Sequence, residues 1–254
     1  GRVMFDEASQ GMQSVTNSLT QLLTDLRVGA EYSFPEGWVI VLLSNRPEDM
    51  SGTTKMGSHT NNRLSNYNVQ RDPAAVTDYL KKTGADPRLV AWTRWVPEEV
   101  YTFEKRTNEV CFSTPRALVK VANILKTLDA DDPRIERFIG GAVGVAVASS
   151  IMGFFSIMSE LTSISSIVAA PHDASIPDAS MSRSAIGALW ATVGMLSNAV
   201  TPDNADAICT YWKRLPQDYA AVFCMDVISD KSKIDVVETR AFTELRLSLK
   251  GLIV

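Results

Sequence analysis

Five side chains carry the chemistry that this sequence offers. Asp6 and Glu7 are adjacent carboxylates that end the apolar run Val3-Met4-Phe5. Delivered from the carboxyl end of a buried strand, such a pair suits nucleotide hydrolysis: one acid lies near Mg²⁺, and the next orients or deprotonates the attacking water. Asn45 follows a second apolar run, "WVIVLLS", so a second strand delivers a polar amide at its own carboxyl end. In open α/β sheets, ligands bind at those ends. Asn45 there can help Glu7 hold a water against a γ-phosphate, or it can simply cap the turn before Pro47. Arg63, in "NNRLSNYNV", stands just before an expected short strand and could reach a neighbouring subunit's site as an arginine finger, or else form a surface salt bridge. Arg116, in "STPRAL", opens a helix behind a proline and presents a guanidinium able to pair with phosphate.

The elements that must position these groups divide the chain by texture. From Gly1 to about Gln70, strand and helix signals alternate. Val3 to Phe5 reads as a strand. Gln10 to Arg27 reads as a helix, with Val15, Leu19, Leu22, Leu23 and Leu26 at three- and four-residue steps. "VGAEYSFPEGW" has hairpin chemistry, and "WVIVLLS" has the continuous apolar pattern of a parallel strand buried on both faces. Strand, helix, strand in that order implies an α/β unit.

Beyond Asp72 the texture is helical. Helices are expected over Ala74 to Lys82, Asp86 to Trp95, Thr114 to Leu128, Pro133 to about Ile167, Ser182 to Val200, Ala205 to Leu215 and Gln217 to Ser229. Four of the starts carry a capping residue followed by proline: Asp72-Pro73, Asp86-Pro87, Thr114-Pro115 and Asp132-Pro133. "AAPHDASIPDAS" reads as a connector, and the mixed-charge "KSKIDVVETRAFTELRLSLKG" as a solvated surface tail.

Taken in order, "RVMFDEAS", "GWVIVLLSNRPED", "NNRL" and "TPRALVKVANIL" resemble the Walker B, sensor 1, arginine-finger and sensor 2 motifs of AAA+ ATPases. "LLTDLRVGAEYSFPEGWVIVLLSNRPED" is similar to the hairpin before sensor 1 in the MoxR-like branch, in its bacterial and phage-encoded relatives. "TYWKRLP" and "PHDASIP" resemble the helical extension of that group more loosely. The resemblance implies α/β followed by all-α architecture: a partial AAA+ core over 1–71, a helical lid over 72–130 and a helical extension over 131–254. It implies Asp6 for Mg²⁺, Glu7 for activating water, Asn45 for sensing the γ-phosphate, Arg63 acting in trans and Arg116 contacting ATP from the lid. It further implies a ring oligomer, commonly a hexamer, that remodels a protein client in a chaperone-like way, with a von Willebrand A-domain protein as partner.

The sequence departs from that family in one respect. It contains no GxxxxGK[ST] loop, and "GTTKMGSHT" has the composition without the spacing. It therefore reads as a fragment of a longer ATPase beginning at Walker B, inactive by itself. A non-catalytic scaffold or interaction subunit on an ATPase-like fold is the alternative reading.

Composition narrows the remaining classes. Of 254 residues, 45% are hydrophobic and 21% charged, with a net charge of −4, so a core can form and no global basic footprint points to nucleic acid. Cys111, Cys209 and Cys224 are odd in number and far apart, which suggests neither a disulfide framework nor a CxxC metal site and fits a reducing cytoplasm. His59 and His172 are too isolated for a metal centre. The five tryptophans read as core or interface anchors rather than a base-stacking set. Ile139 to Ser159 is uncharged for 21 residues, long enough to span a bilayer. Its Gly, Ala and Ser content and the close flanking charges favour a buried helix instead, so no membrane partner is expected.

Overall fold

A computed structural model of the chain describes residues 1–11, 13–46, 56–103, 110–128, 132–178, 180, 182–249 and 251–252. These residues form two compact units, one over 1–70 and one over 71–103 and 110–252.

The first unit is built on the strand-helix-strand order expected from the sequence. β1 (Arg2–Phe5) leads into α1 (Gln13–Asp25), and β4 (Val39–Leu42) then pairs with β1 in parallel. The register runs from Arg2 opposite Val39 to Phe5 opposite Leu42. Between them, β2 (Arg27–Val28) and β3 (Tyr32–Ser33) form the small antiparallel hairpin. α2 (Ser58–Asn61) closes the unit. The double-sided burial expected of the second apolar run is not met: Val39 in β4 is 56% exposed, and Leu43 just after it 40%. The cause is the sheet itself, which among the described residues has only two strands and so leaves apolar side chains uncovered. Among the described residues no strand follows Arg63 either, and residues 65–72 have no regular structure.

The second unit is helical. α3 (Pro73–Lys82), α4 (Pro87–Trp95) and α5 (Pro115–Thr127) each begin at one of the expected capping pairs. Asp72 accepts from Ala75 N, Asp86 from Arg88 N and Thr114 from Ala117 N, which satisfies amides that the helix leaves unpaired. The fourth pair behaves differently. Asp132 accepts from Arg134 N in a turn, and α6 (Ile135–Val143) starts only after it.

The long helix expected from Pro133 to Ile167 is three helices: α6, α7 (Val145–Ser159) and α8 (Ile164–Ala169). The first break is at Gly144, whose φ of 91° is readily adopted only by glycine and where a Cβ would lie 2.8 Å from the Cys111 carbonyl oxygen. The uncharged stretch therefore folds back on itself. Val147, Ala148, Ile151, Phe154 and Phe155 lie at helical spacing on the buried face of α7. By length and composition, Val145–Ala169 is still apolar enough to cross a membrane, with a mean hydropathy of 1.5.

α9 (Arg183–Ala199), α10 (Ala205–Trp212) and α11 (Gln217–Ser229) follow, and α9 packs closely on α4. The final stretch corrects the expectation of a solvated tail. It forms α12 (Ile234–Val237) and α13 (Arg240–Ser248), and it buries Phe242, Leu245 and Leu249. These apolar residues recur at three- and four-residue steps, and the mixed charges between them masked the period.

Two apolar clusters fill the helical unit. One joins α3 to α7 around Trp92, Leu118 and Ile139, and so runs continuously across residue 130. The other gathers α8 to α13 around Trp212, Phe223 and Phe242, with Trp212 stacked on Phe223 at 5.1 Å.

Candidate functional site

The parallel pairing of β1 with β4 sets the geometry of the candidate site. Because both strands run the same way in matched register, the residues that follow them emerge at one end of the sheet. Two backbone bonds join the emerging loops. Leu43 N donates to Phe5 O at 2.8 Å, and Ala8 N donates to Leu43 O at 3.0 Å. Asp6 and Glu7 therefore share the sheet end with Ser44 and Asn45.

The turn after β1 is locally ordered. Glu7 N donates to Asp6 Oδ1 at 3.0 Å, and Gln10 N to Glu7 O at 2.9 Å, starting a short 3₁₀ turn over Ala8–Gln10. Glu7 itself has φ 53°. This left-handed conformation costs a residue with a Cβ about 1 kcal/mol or more, and such outliers cluster at functional turns. Below the turn, the buried Ser9 hydroxyl bonds the Ser44 hydroxyl, and Ser44 Oγ donates to Asn45 O at 3.1 Å. Sequence reasoning missed this serine pair. The only available signal was the hydroxyl immediately before Asn45 in "LLSN".

Asp6, Glu7 and Asn45 are all exposed. Only one carboxylate oxygen of Asp6 is engaged, by Glu7 N, and Oδ2 has no partner among the described residues. This donor set fits Mg²⁺, a hard cation that keeps several waters and often takes only one or two carboxylates. Among the described residues there is no group of three or more His, Cys, Asp or Glu that could hold a metal through protein ligands alone. His59 and His172 are exposed and outside any such group. The turn at Pro47 and residues 52–55 of "GTTKMGSHT" lie outside the described residues.

Arg63 does not converge on the carboxylates through its own bonds. Its Nε donates to Thr24 Oγ1 at 2.7 Å and its Nη1 to the His59 carbonyl. Thr24 is held by Thr20 O, and Thr20 bonds Thr60, so the arginine is tied to the last turn of α1. That turn is most of the helix length from the start of α1, roughly 16 Å along the axis at 1.5 Å per residue. Arg116 belongs to the helical unit. It is exposed in the first turn of α5, two residues after the Thr114 cap.

Comparison with protein-family models, curated proteins and solved structures finds no match to this chain.

Proposed function

We propose that these residues belong to an ATP-hydrolysing AAA+ motor of MoxR-like type that works as a ring. The observation that supports it most is the parallel β1/β4 pairing, which puts Asp6-Glu7 and Asn45 on one sheet end. A carboxylate pair beside an amide at such an end has the parts needed to hold and polarise a water opposite a γ-phosphate. In this reading Asp6 holds Mg²⁺, which supplies charge neutralisation to the phosphates when bound. Glu7 orients the water and accepts its proton, and Asn45 hydrogen-bonds the same water or the phosphate. Arg63, anchored away from its own carboxylates, is suited to serve a neighbour's site, and Arg116 to meet the nucleotide of its own subunit. The protein client and a von Willebrand A-domain partner belong to the same proposal, as does action in the cytoplasm.

A second reading, a scaffold on an ATPase-like fold, has one observation in its favour: no GxxxxGK[ST] loop occurs in the 254 residues. The two readings separate in one experiment on the natural open reading frame. The motor reading expects Mg²⁺-dependent ATP turnover that Glu7→Gln lowers by about a hundredfold or more while ATP binding persists. Turnover unchanged in Glu7→Gln refutes the assigned chemistry, and absence of ATP binding in the natural protein favours the scaffold.

A further inference from the structure

A second, unrelated cluster of charge lies in the helical unit. Asp226 on α11 is buried, with 10% of its side chain exposed, and two cations converge on it. Arg94 on α4 takes both carboxylate oxygens, Nη1 to Oδ2 and Nη2 to Oδ1, the latter at 2.7 Å. Lys81 on α3 donates to Asp226 Oδ1 at 2.9 Å, Asp226 O at 3.0 Å and Ser229 Oγ at 2.8 Å.

Counting donors shows where the surplus charge can be used. An ammonium has three N–H groups, and Lys81 has three acceptors, so it is saturated. A guanidinium has five, and among the described residues Arg94 makes only two bonds, both to Asp226. Nearby Asp230 and Lys233 cancel each other, so Arg94, Lys81 and Asp226 together carry one positive charge in excess, which the exposed Asp78 of the cleft lining offsets only through solvent. Arg94 is 16% exposed at its side chain, and it lines a cleft of about 240 Å³ between α3, α4 and α9. The lining is mainly apolar, with Pro73, Ala74, Pro97 and Trp190 contributing to it. Trp190 is braced by Tyr219, ring centres 5.2 Å apart at 73°. Thr93 donates its hydroxyl to Val90 O, and the one Thr77 hydroxyl hydrogen goes to Pro73 O or to Thr93 Oγ1, so those hydrogens are committed within the protein. Asp78, exposed, is the remaining charged group in the cleft lining.

We propose that this cleft is a binding site for a small monocarboxylate with an apolar or aromatic body. The carboxylate meets the unsatisfied donors of Arg94, and the body lies against Trp190 and the prolines. A partly desolvated guanidinium with open donors favours an anion over a neutral isostere, because charge-assisted bonds are about twice as strong as neutral ones. The volume suits one ring with a short acid arm, since a cavity near 150 Å³ already accepts benzene. Asp78, exposed and screened by water, opposes any anion weakly and a dianion about twice as much, which limits the ligand to a monoanion held by Arg94. The site stands apart from the nucleotide proposal, because every residue in it belongs to the helical unit.

The test is calorimetric titration of the full chain with phenylacetate and with its neutral isostere phenylacetamide. Expected is one-site saturable binding of the acid, with the amide about tenfold weaker or more. Ala74→Phe, an exposed position in the lining, fills the cleft without touching Asp226 and is expected to lower acid binding at least as far. Arg94→Gln is expected to remove the preference for the acid, with circular dichroism checking the fold. No saturable heat up to about 10 mM phenylacetate, or an acid-to-amide ratio below that tenfold, overturns the proposal. So does undiminished binding in a folded Ala74→Phe protein.

Discussion

The two units of this chain solve the problem of burial differently. Among the described residues, the helical unit holds every fully buried large side chain, from Trp92 and Trp212 to Phe154 and Phe242. Among its described residues, the strand unit buries one large apolar residue, Leu22, and two polar ones, Ser9 and Thr60. It leaves Met4 61%, Tyr32 53% and Val39 56% exposed. The contrast follows from geometry. A helix closes its own backbone hydrogen bonds and needs partners only along one face, so a set of amphipathic helices can complete a core among themselves. A parallel strand needs neighbours at both edges and cover on both faces, and two strands provide little of either. The unit that carries the candidate chemistry is therefore the one that is less self-sufficient in packing.

The sharpest way to break that contrast is hydrogen exchange. Local opening free energies range from near zero at weakly packed segments to the global value in cores. Amides of β1 and β4 are expected to exchange on the order of a thousandfold faster than those in the middle of α9 and α11. Equal protection in the two units would mean that the strand unit has stabilising contacts that its exposure does not reveal.

The same contrast explains what could be read from sequence. Helix starts marked by Asp-Pro or Thr-Pro were legible because one residue caps and the next pre-sets φ, both local effects. The β1 and β4 runs were legible as strands, and their order was enough to expect that Asp-Glu and Asn45 would emerge from one α/β unit. The exposure of Val39 was not legible, because an apolar run records what a strand is suited to pack against, not which neighbours these residues provide. The break at Gly144 was hidden for a related reason: a glycine in an apolar stretch can be a small packing residue or a turn, and only its φ decides. The Ser9–Ser44 bond and the Arg94–Asp226 pair join residues far apart in sequence, and no local pattern encodes them.

A second prediction concerns the charge cluster on which the helical unit closes. Burial by itself pushes the Asp226 carboxyl upward, but the bonds and charges of Arg94 and Lys81 outweigh it and hold the group below its ordinary value of 3.8. A carboxylate depressed in the folded state contributes stability above its unfolded pKa and loses it as pH falls through the folded one. That contribution is present at neutral pH and fades below about pH 4. Asp226→Asn leaves two cations without their shared partner and is expected to cost ~3 kcal/mol at pH 7 in urea unfolding. The deficit is expected to shrink as the pH is lowered below 4. A pH-independent deficit would show that lost packing, not lost charge, sets the cost.

The smallest effect tests the close crossing of α4 and α9. A Cβ at Gly194 would lie 2.9 Å from Ala91 Cβ and 3.4 Å from Pro87 O. Neither neighbour is the end of a flexible side chain, so the helices must move apart. Overpacking of this kind costs about 1–3 kcal/mol, against which glycine-to-alanine in a helix gains about 1 kcal/mol. Gly194→Ala is therefore expected to be destabilising by about 1 kcal/mol in net. Gly153 on α7 is the matched control, because a Cβ there meets nothing within 4 Å and the position is exposed. Gly153→Ala is expected to stabilise by roughly 0.5–1 kcal/mol through backbone entropy alone. Opposite signs from the same substitution in one urea-unfolding series would separate interhelix packing from helix propensity. If both stabilise, the α4–α9 crossing is looser than its Gly194–Ala91 approach implies, and the helical unit owes its closure to the two apolar clusters more than to this contact.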